Sequence, residues 1–238
     1  MDIIELLSNM ALELQDAETP SATAETISQY GRIAVDADEA GILLVQAKGR
    51  LETPAATGPL VDQAHQLQAK FDEGPCLDAI KGGDDTYLVT NTAADPRWPK
   101  WGPAAADLGF FSAIGASLET RARRIGSLNL YAHRADAFTK NDAETVKWLA
   151  THASVAMAAA DERAGLRTAL GNRTLIGQAE GVLMRALGIN EDQAFAYLQR
   201  LSQHHNVKLA KIAEQIIENR DSIGDRGPQP DRTDLGEV

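Results

Sequence analysis

Cysteine is nearly absent from this 238-residue chain, in which Cys76 is the only one. A single cysteine excludes an intramolecular disulfide and a CxxC metal knuckle, although it leaves a lone nucleophile possible. Aromatic residues are also scarce at 5% of the composition, but 44% of the residues are apolar in the broad sense. The chain can therefore bury a core, as one large domain or as two smaller ones.

Long hydrophobic runs are missing as well. No apolar stretch approaches the roughly 18 residues that a membrane span needs. The beginning of the sequence, MDIIELLSNMALELQDAE, is acidic and amphipathic, unlike the basic and then apolar pattern of a signal peptide. The sequence therefore predicts a cytoplasmic protein without a membrane segment.

Lysine and arginine are outnumbered by aspartate and glutamate, and the formal net charge is −11. Such a balance argues against binding nucleic acid by bulk attraction. Residues 1–160 carry 13 lysines and arginines against 22 aspartates and glutamates, whereas residues 161–220 carry 8 against 7. Only residues 161–220 lack an excess of negative charge. Chance variation in composition is the alternative to a functional meaning for this difference.

Proline is absent from the chain for more than 80 residues after Asn141. The segment 141–172 reads as a helical connector, and its small apolar residues keep the spacing of a coiled-coil seam. The seam predicts a homodimer formed through the connector; packing of the same stripe on the protein's own sheet is the alternative. Its members are Val146, Leu149, Ala153, Ala156 and Ala160.

Before the connector, the spacing of apolar residues is that of helices in some segments and that of strands in others. An N-terminal helix over 1–20 precedes a domain that we place at 21–157. Strands are predicted at 39–49 and 50–57, at 86–90, and at 112–120 and 125–133, the last two joined by the basic turn RARR. Because helices flank this antiparallel sheet at its start and end, the predicted fold class is α+β.

Three short helices are predicted over 173–220. The first runs from about Arg173 to Leu187 and ends at Gly188 in a left-handed cap, and the second begins at Asn190 with Gln193 in a capping box. The third starts after Asn206. Three apolar stripes joined by short loops make a small bundle. The buried positions are Ala194, Phe195, Leu198 and Leu201 in the second helix, and Leu209, Ile212, Ala213, Ile216 and Ile217 in the third.

The last 18 residues, 221–238, contain too few apolar side chains to fold. We predict a disordered tail there.

The bundle sequence resembles the ANTAR domain, the RNA-binding module of bacterial transcription antitermination regulators. The resemblance spans 173–217 and includes Ala179-x-Gly181-x-Leu183-Met184, Ala194-Phe195 and Lys208-Leu209. It implies a dimer that binds paired RNA stem-loops and so prevents a terminator hairpin. The candidate RNA-binding residues are Gln178, Gly181, Arg185, Arg200, Gln203, Asn206, Lys208 and Lys211.

Two positions depart from that family's pattern. Glu180 stands where the family usually has lysine, and Gln199 stands where it often has arginine. Both changes remove positive charge near a polyanion. Because phosphate neutralisation supplies much of nucleic-acid affinity, they predict modest affinity or a shifted choice of RNA.

The helix GQAEGVLMRAL contains two glycines, Gly177 and Gly181, each of which costs roughly 1 kcal/mol relative to alanine. On a helix, Gln178, Gly181 and Arg185 share a stripe opposite the apolar face. Bare backbone there permits close approach by an RNA loop or by a partner helix. A helix crossing within the bundle is the alternative explanation.

The α+β segment resembles a GAF domain, through the order of its elements and through KFDEGPCLDAI, NTAADPRWP and IGSLNLYAHRADAFTKND. This resemblance implies a small-molecule pocket or a dimerisation platform. Cys76, Trp98 and Trp101 are the candidate pocket residues. Alternatively, Cys76 is a plain buried residue, and the tryptophans close the edge of the sheet.

Catalytic and metal-binding groups are not evident. One GAF subclass reduces free methionine sulfoxide through cysteines, but that chemistry generally needs a second thiol. His204 and His205 are adjacent, so on a helix they point about 100° apart, and no third ligand lies at a recognisable spacing. We predict no enzyme activity, no cofactor and no metal.

Taken together, these patterns predict an RNA-binding antitermination regulator in which a GAF sensor, with an unidentified ligand if it has one, controls the output. Two alternatives stay open. The bundle could read duplex DNA as a helix-turn-helix, although Glu214 and Glu218 beside the third helix's lysines suit a phosphate-lined groove poorly. It could also be a protein-protein docking module without RNA binding.

Overall fold

The computed structural model describes residues 3–220. The chain divides into two compact units, Met1–Ala164 and Gly165–Val238. The predicted disordered tail, 221–238, lies outside the described residues.

From residue 3 onwards, the N-terminal unit contains five α-helices, two short 3-10 helices, five strands and the beginning of a sixth α-helix. The bounds of the α-helices and strands are α1 Ile3–Asp16, α2 Pro20–Ala34, β1 Glu39–Val45, β2 Leu51–Ala56, α3 Pro59–Phe71, α4 Pro75–Lys81, β3 Thr86–Val89, α5 Trp101–Asp107, β4 Ser112–Glu119 and β5 Arg124–Ala132. The long helix α6, Lys140–Leu187, then leads to α7, Glu191–His205, and α8, Leu209–Glu218.

The five strands form one antiparallel sheet in the order β2-β1-β5-β4-β3. In the centre of the sheet, Leu128 and Leu130 of β5 pair with Ile42 of β1 and Ile114 of β4. These side chains belong to a buried cluster that also includes residues of α1, α2 and the first half of α6. The α+β fold with a helix-flanked antiparallel sheet is confirmed.

A second buried cluster lies on the opposite side of the sheet, because successive side chains along a strand point to opposite faces. It joins Ala113 and Tyr131 of the sheet to α3 and α5. Trp98, Trp101 and Phe110 are its largest side chains besides Tyr131, and each is at most 1% exposed.

Helix α6 runs without a break from Lys140 to Leu187. The prediction of a separate first bundle helix that begins near Arg173 is therefore wrong. The segment contains no proline, and its isolated glycines each cost only about 1 kcal/mol, which does not end a helix. Gly188, at φ +66°, adopts the predicted left-handed cap, and its N–H donates to the carbonyl of Met184.

The small-residue stripe predicted as a coiled-coil seam is largely occupied within the protein's own fold. Val146, Leu149 and Ala153 are buried in the cluster that covers the sheet. The most exposed large apolar side chains of α6 are a different set, namely Trp148, Val155, Leu166 and Leu170, each at least 59% exposed. This second set is the apolar surface of α6 that the protein's own fold leaves uncovered.

The C-terminal unit has its own core, built from the end of α6 together with α7 and α8. Ala179, Leu183, Ala194, Leu198, Ile212, Ala213 and Ile216 are buried there. The predicted capping box is present, because Asn190 Oδ1 accepts from the Gln193 N–H at 2.9 Å and Gln193 Oε1 accepts from the Asn190 N–H at 3.1 Å. Phe195, predicted to be buried, is instead exposed.

Over residues 3–220, none of the helices combines the length and apolar character that crossing a membrane would require.

Candidate functional site

The two glycines near the end of α6 lie on its exposed side, opposite the buried Ala179 and Leu183. A Cβ added to Gly177 or to Gly181 would meet no described atom within 4 Å. The alternative in which these glycines serve a helix crossing inside the bundle therefore has no support in the described structure. Their bare backbone faces outward, where an external partner can approach it.

The basic candidates are exposed. Arg185 lies one turn beyond Gly181 on α6, and Lys208 occupies the N-cap position of α8. Arg200 lies over the ring of Tyr197, with 5.7 Å between its guanidinium carbon and the ring centroid. These three cations form no ion pair with any residue between 3 and 220.

Lys211 differs from the other cations. Its Nζ lies 2.5 Å from Oε2 of Glu214, one turn further along α8. The hydrogen bond to Glu214 raises the pKa of Lys211 above its usual value. Lys211 is exposed, but its charge is already partly balanced.

The uncharged candidates are Gln178, Gln203 and Asn206, and all three are exposed. Asn206 also has a structural role that the sequence pattern did not reveal, since it closes α7 in the left-handed conformation at φ +51°. Asparagine tolerates this conformation better than most residues. The backbone at Asn206 is thus fixed by folding, while its side chain remains exposed.

Gln199 and Glu180, the two departures from the family pattern, differ in their exposure to solvent. Gln199 is exposed on α7. Glu180 is partly buried, and both desolvation and the charge of Glu191 raise the pKa of its carboxyl. Negative charge is therefore present close to the candidate surface.

Tyr197 packs against the bundle core and carries Arg200 on its ring, which favours the surface-packing alternative over base stacking. His204 and His205 are exposed, with ring centroids 4.9 Å apart. No group of three or more His, Cys, Asp or Glu residues suited to a metal ion occurs within residues 3–220.

In the N-terminal unit, Cys76 is buried at the start of α4 and held by Gln68 of α3. Gln68 Oε1 accepts from the backbone N–H of Cys76 at 2.9 Å, and Gln68 Nε2 donates to Sγ at 2.7 Å. Burial raises the pKa of the Cys76 thiol to about 12, although the hydrogen bonds from Gln68 and Tyr131 oppose it. Since the thiolate is the reactive form, this cysteine is not an activated nucleophile.

Gly74 explains part of the motif around Cys76. It has φ +138°, and a Cβ there would lie 2.2 Å from Gln68 Oε1. Only glycine combines this backbone conformation with the close approach of the glutamine.

Trp98 and Trp101, like Cys76, are core residues in this structure. Trp98 Nε1 donates to Asp78 Oδ2 at 2.7 Å, and Trp101 Nε1 donates to the carbonyl of Ala64 at 3.3 Å. The two rings meet edge to face at 5.9 Å. This burial favours the alternative in which the tryptophans close the sheet over the one in which they line a ligand cleft.

A buried polar cluster in the N-terminal unit was missed by the sequence analysis. His65 of α3 lies 3.0 Å from Thr53 Oγ1 through Nδ1 and 3.0 Å from Asn129 Nδ2 through Nε2. Burial lowers the pKa of His65 to about 4. Asn129 Oδ1 and Ser127 Oγ, on β5, are buried without a hydrogen-bond partner among residues 3–220.

Comparison with known families accounts for both units. Residues 17–158 match the GAF domain, and residues 164–217 match the ANTAR domain. Both are regulatory domain families. Among curated proteins, no significant match to the chain is found.

Solved structures with the same fold include two GAF domains of phosphoenolpyruvate-protein phosphotransferases. The one from Coxiella burnetii has a TM-score of 0.57 at 16% identity and covers 69% of this chain and 98% of its own. The one from Acinetobacter has a TM-score of 0.53 at 14% identity, with coverages of 67% and 94%.

The photosensory core module of the Stigmatella aurantiaca phytochrome has a TM-score of 0.55 at 11% identity and covers 84% of this chain and 44% of its own. At such identities the similarity establishes the fold alone. The family match covers more than half of the sequence. The chain therefore belongs to the GAF domain family, and it joins its GAF domain to an ANTAR domain in one polypeptide.

Proposed function

We propose that this protein is a cytoplasmic, non-enzymatic regulator that binds RNA stem-loops through its ANTAR domain and acts in transcription antitermination. The observation that carries the proposal is the bare, outward-facing backbone at Gly177 and Gly181. Glycine at both positions costs helix stability, and nothing within the described bundle requires it. An external partner that approaches the helix closely would explain both residues.

The neighbouring side chains suit an RNA loop. Gln178 shares the stripe with Gly181 and Arg185, so amide donors and a guanidinium lie beside the open backbone. Such groups recognise unstacked bases and phosphates. Arg200 and Lys208 supply further unpaired cations in the same domain.

We further propose that the protein is a homodimer through α6. Trp148, Val155, Leu166 and Leu170 expose apolar surface on this helix, and a self-complementary helix pair would cover it. In the N-terminal unit, α1 and α6 also line an apolar groove of about 310 Å³, bordered by Met10 and Val155. A dimer would present two ANTAR domains to two RNA hairpins.

The GAF domain acts as the sensor in this proposal. A ligand can change the output only if it binds two arrangements of the protein with different affinity. We assign no catalytic role to the GAF domain, because burial keeps the single cysteine protonated at neutral pH.

The direct test is a gel-shift titration of the full chain with an RNA that carries two stem-loops, at 50 mM and 150 mM salt. We expect loop-dependent binding that weakens as salt rises, because phosphate contacts release counterions. Duplex DNA should not compete. Binding that is absent at both salt concentrations, or that the DNA abolishes, would remove the RNA proposal.

A double charge reversal identifies the surface. Lys208→Glu with Lys211→Glu should abolish RNA binding and leave the dimer intact. The matched control, Arg134→Glu with Lys140→Glu, reverses two exposed cations of the N-terminal unit and should leave RNA binding nearly unchanged.

A protein-docking role without RNA is the second candidate. The pairing of Lys211 with Glu214 and the negative charges of Glu180 and Glu191 favour it. If the double reversal changes dimerisation but the wild-type chain binds no stem-loop RNA, this second function is the correct one.

A further inference from the structure

We propose that the N-terminal unit binds a small amphipathic organic cation, a primary amine or guanidinium attached to an apolar group, in a cavity against α6. The cavity has a volume of about 640 Å³. Pockets for small molecules commonly measure about 300–1,000 Å³. It lies at the end of the sheet where β1, β2 and the β4–β5 hairpin meet the residues of α6 from Met157 to Glu162.

Part of the cavity lining is an apolar patch. Leu44 of β1, Ile125 of β5 and Met157 of α6 form it, and all three also pack in the buried cluster that covers the sheet. The cavity is therefore an opening in the edge of the core. An apolar group placed there would remove hydrocarbon surface from water.

The charged residues of the lining are exposed and mainly acidic. The lining carries the carboxylates of Glu52, Asp161 and Glu162, against the single guanidinium of Arg123. Neither Asp161 nor Glu162 forms an ion pair within residues 3–220, and Glu52 lies 3.6 Å from the exposed Arg50. The excess of unpaired negative charge beside the apolar patch favours a ligand with a positive head and an apolar body.

This cavity is distinct from the buried cluster that contains Trp98 and Trp101, which lies on the other side of the sheet. Four of the cavity's lining residues belong to α6, so a bound cation would contact this helix directly. The binding site stands independently of RNA recognition, whereas its use as a regulatory input rests on the proposed function.

The test uses the full chain and two probes of similar size and opposite charge, phenethylamine and phenylacetate. Each is titrated into the protein while amide NMR shifts are recorded. We expect phenethylamine to cause saturable shifts at residues 44–46, 52–53, 120–125 and 157–162, and phenylacetate to cause none there. The affinity for the amine should fall as salt rises, because the charges of the lining are exposed to solvent.

Two variants separate the charge from the shape of the cavity. Asp161→Asn with Glu162→Gln should weaken phenethylamine binding about tenfold. The control Glu144→Gln removes an exposed carboxylate of α6 outside the cavity and should have no effect. Ala158→Phe fills the cavity while keeping its charges, and it should abolish binding.

Three outcomes would overturn the proposal: no saturable shifts at the cavity residues, equal binding of phenylacetate, or unchanged affinity in both variants. Because no RNA is present in this experiment, its failure is distinguishable from failure of the stem-loop gel shift.

Discussion

Asn129 donates a hydrogen bond through Nδ2 to Nε2 of His65 at 3.0 Å, inside the N-terminal unit. Nε2 must therefore be unprotonated, so the proton of the neutral imidazole lies on Nδ1, where Thr53 Oγ1 is the partner. The neutral form of His65 is the one that this core accommodates.

The first prediction concerns pH. Burial lowers the pKa of His65 from 6.5 to about 4 in the folded protein, so the unfolded chain binds the proton more readily. The stabilisation from a neutral His65 is fully present above pH 6.5 and is lost as the pH falls towards 4. The expected loss is about 3 kcal/mol, as measured by urea unfolding.

Comparison with His65→Gln isolates this contribution from the titration of carboxylates. The stability difference between the wild type and this variant should shrink between pH 7.5 and pH 4.5. His152→Gln, which changes an exposed histidine, is the control variant. A constant difference for His65→Gln would contradict the lowered pKa.

A second prediction tests the open backbone of α6. Gly181→Ala should raise the stability of the C-terminal unit by about 1 kcal/mol, since alanine is the better helix former and its Cβ meets no described atom. The same change should weaken stem-loop binding about tenfold by obstructing close approach. Thermal unfolding and gel shift measure the two effects.

Gly171→Ala is the matched control, because Gly171 is also an exposed glycine of α6 with open space around it. It should raise stability and leave RNA binding unchanged. If Gly181→Ala left RNA binding unchanged as well, the glycine would have no role in recognition.

A third prediction concerns the α3–α4 corner. Gln68→Ala removes the acceptor for the buried N–H groups of Cys76 and Leu77. The unfolding free energy should fall by about 2–4 kcal/mol, because buried donors are left without partners and a cavity forms. Gln63→Ala, at an exposed position of α3, should change stability by less than about 0.5 kcal/mol.

The fourth prediction addresses the dimer. Leu166→Glu with Leu170→Glu places charge on exposed apolar positions of α6 and should shift the protein towards monomer in sedimentation equilibrium. Asn172→Glu, on the opposite side of the helix, is the control and should keep the wild-type association state. A wild-type chain that is monomeric at high micromolar concentration would refute pairing through α6.

Local patterns predicted most of the architecture. The strands followed from their periodicity, and the cap at Gly188 and the box at Asn190 and Gln193 followed from local residue chemistry. The pairing of Lys211 with Glu214 was also accessible, because residues three apart are neighbours on a helix. Such features depend on neighbours in sequence, and a single sequence contains them.

Long-range features were not accessible in the same way. The contact of His65 with Asn129 joins residues far apart in the chain, and no local signal marks a buried histidine. Phe195 was assigned to the core from the spacing of its helix, whereas the bundle leaves it partly exposed. The boundary between the two compact units, at Ala164 and Gly165, falls inside α6. No proline or helix-capping residue marks that position in the sequence.

The domain limits inferred from sequence, 21–157 and 173–220, remain predictions, as do the individual RNA-binding residues. Exposure of all eight candidate residues is compatible with their role. The substitutions at Gly181, Lys208 and Lys211 described above test three of them directly.

The burial of Cys76 has a practical consequence for spectroscopy. The native protein should be inert towards maleimide and iodoacetamide reagents at neutral pH, since its only sulfhydryl is enclosed and protonated. A cysteine introduced at a solvent-facing position would then be the sole attachment point for a fluorophore or spin label. Distances within the assembly could be followed without first deleting the natural residue.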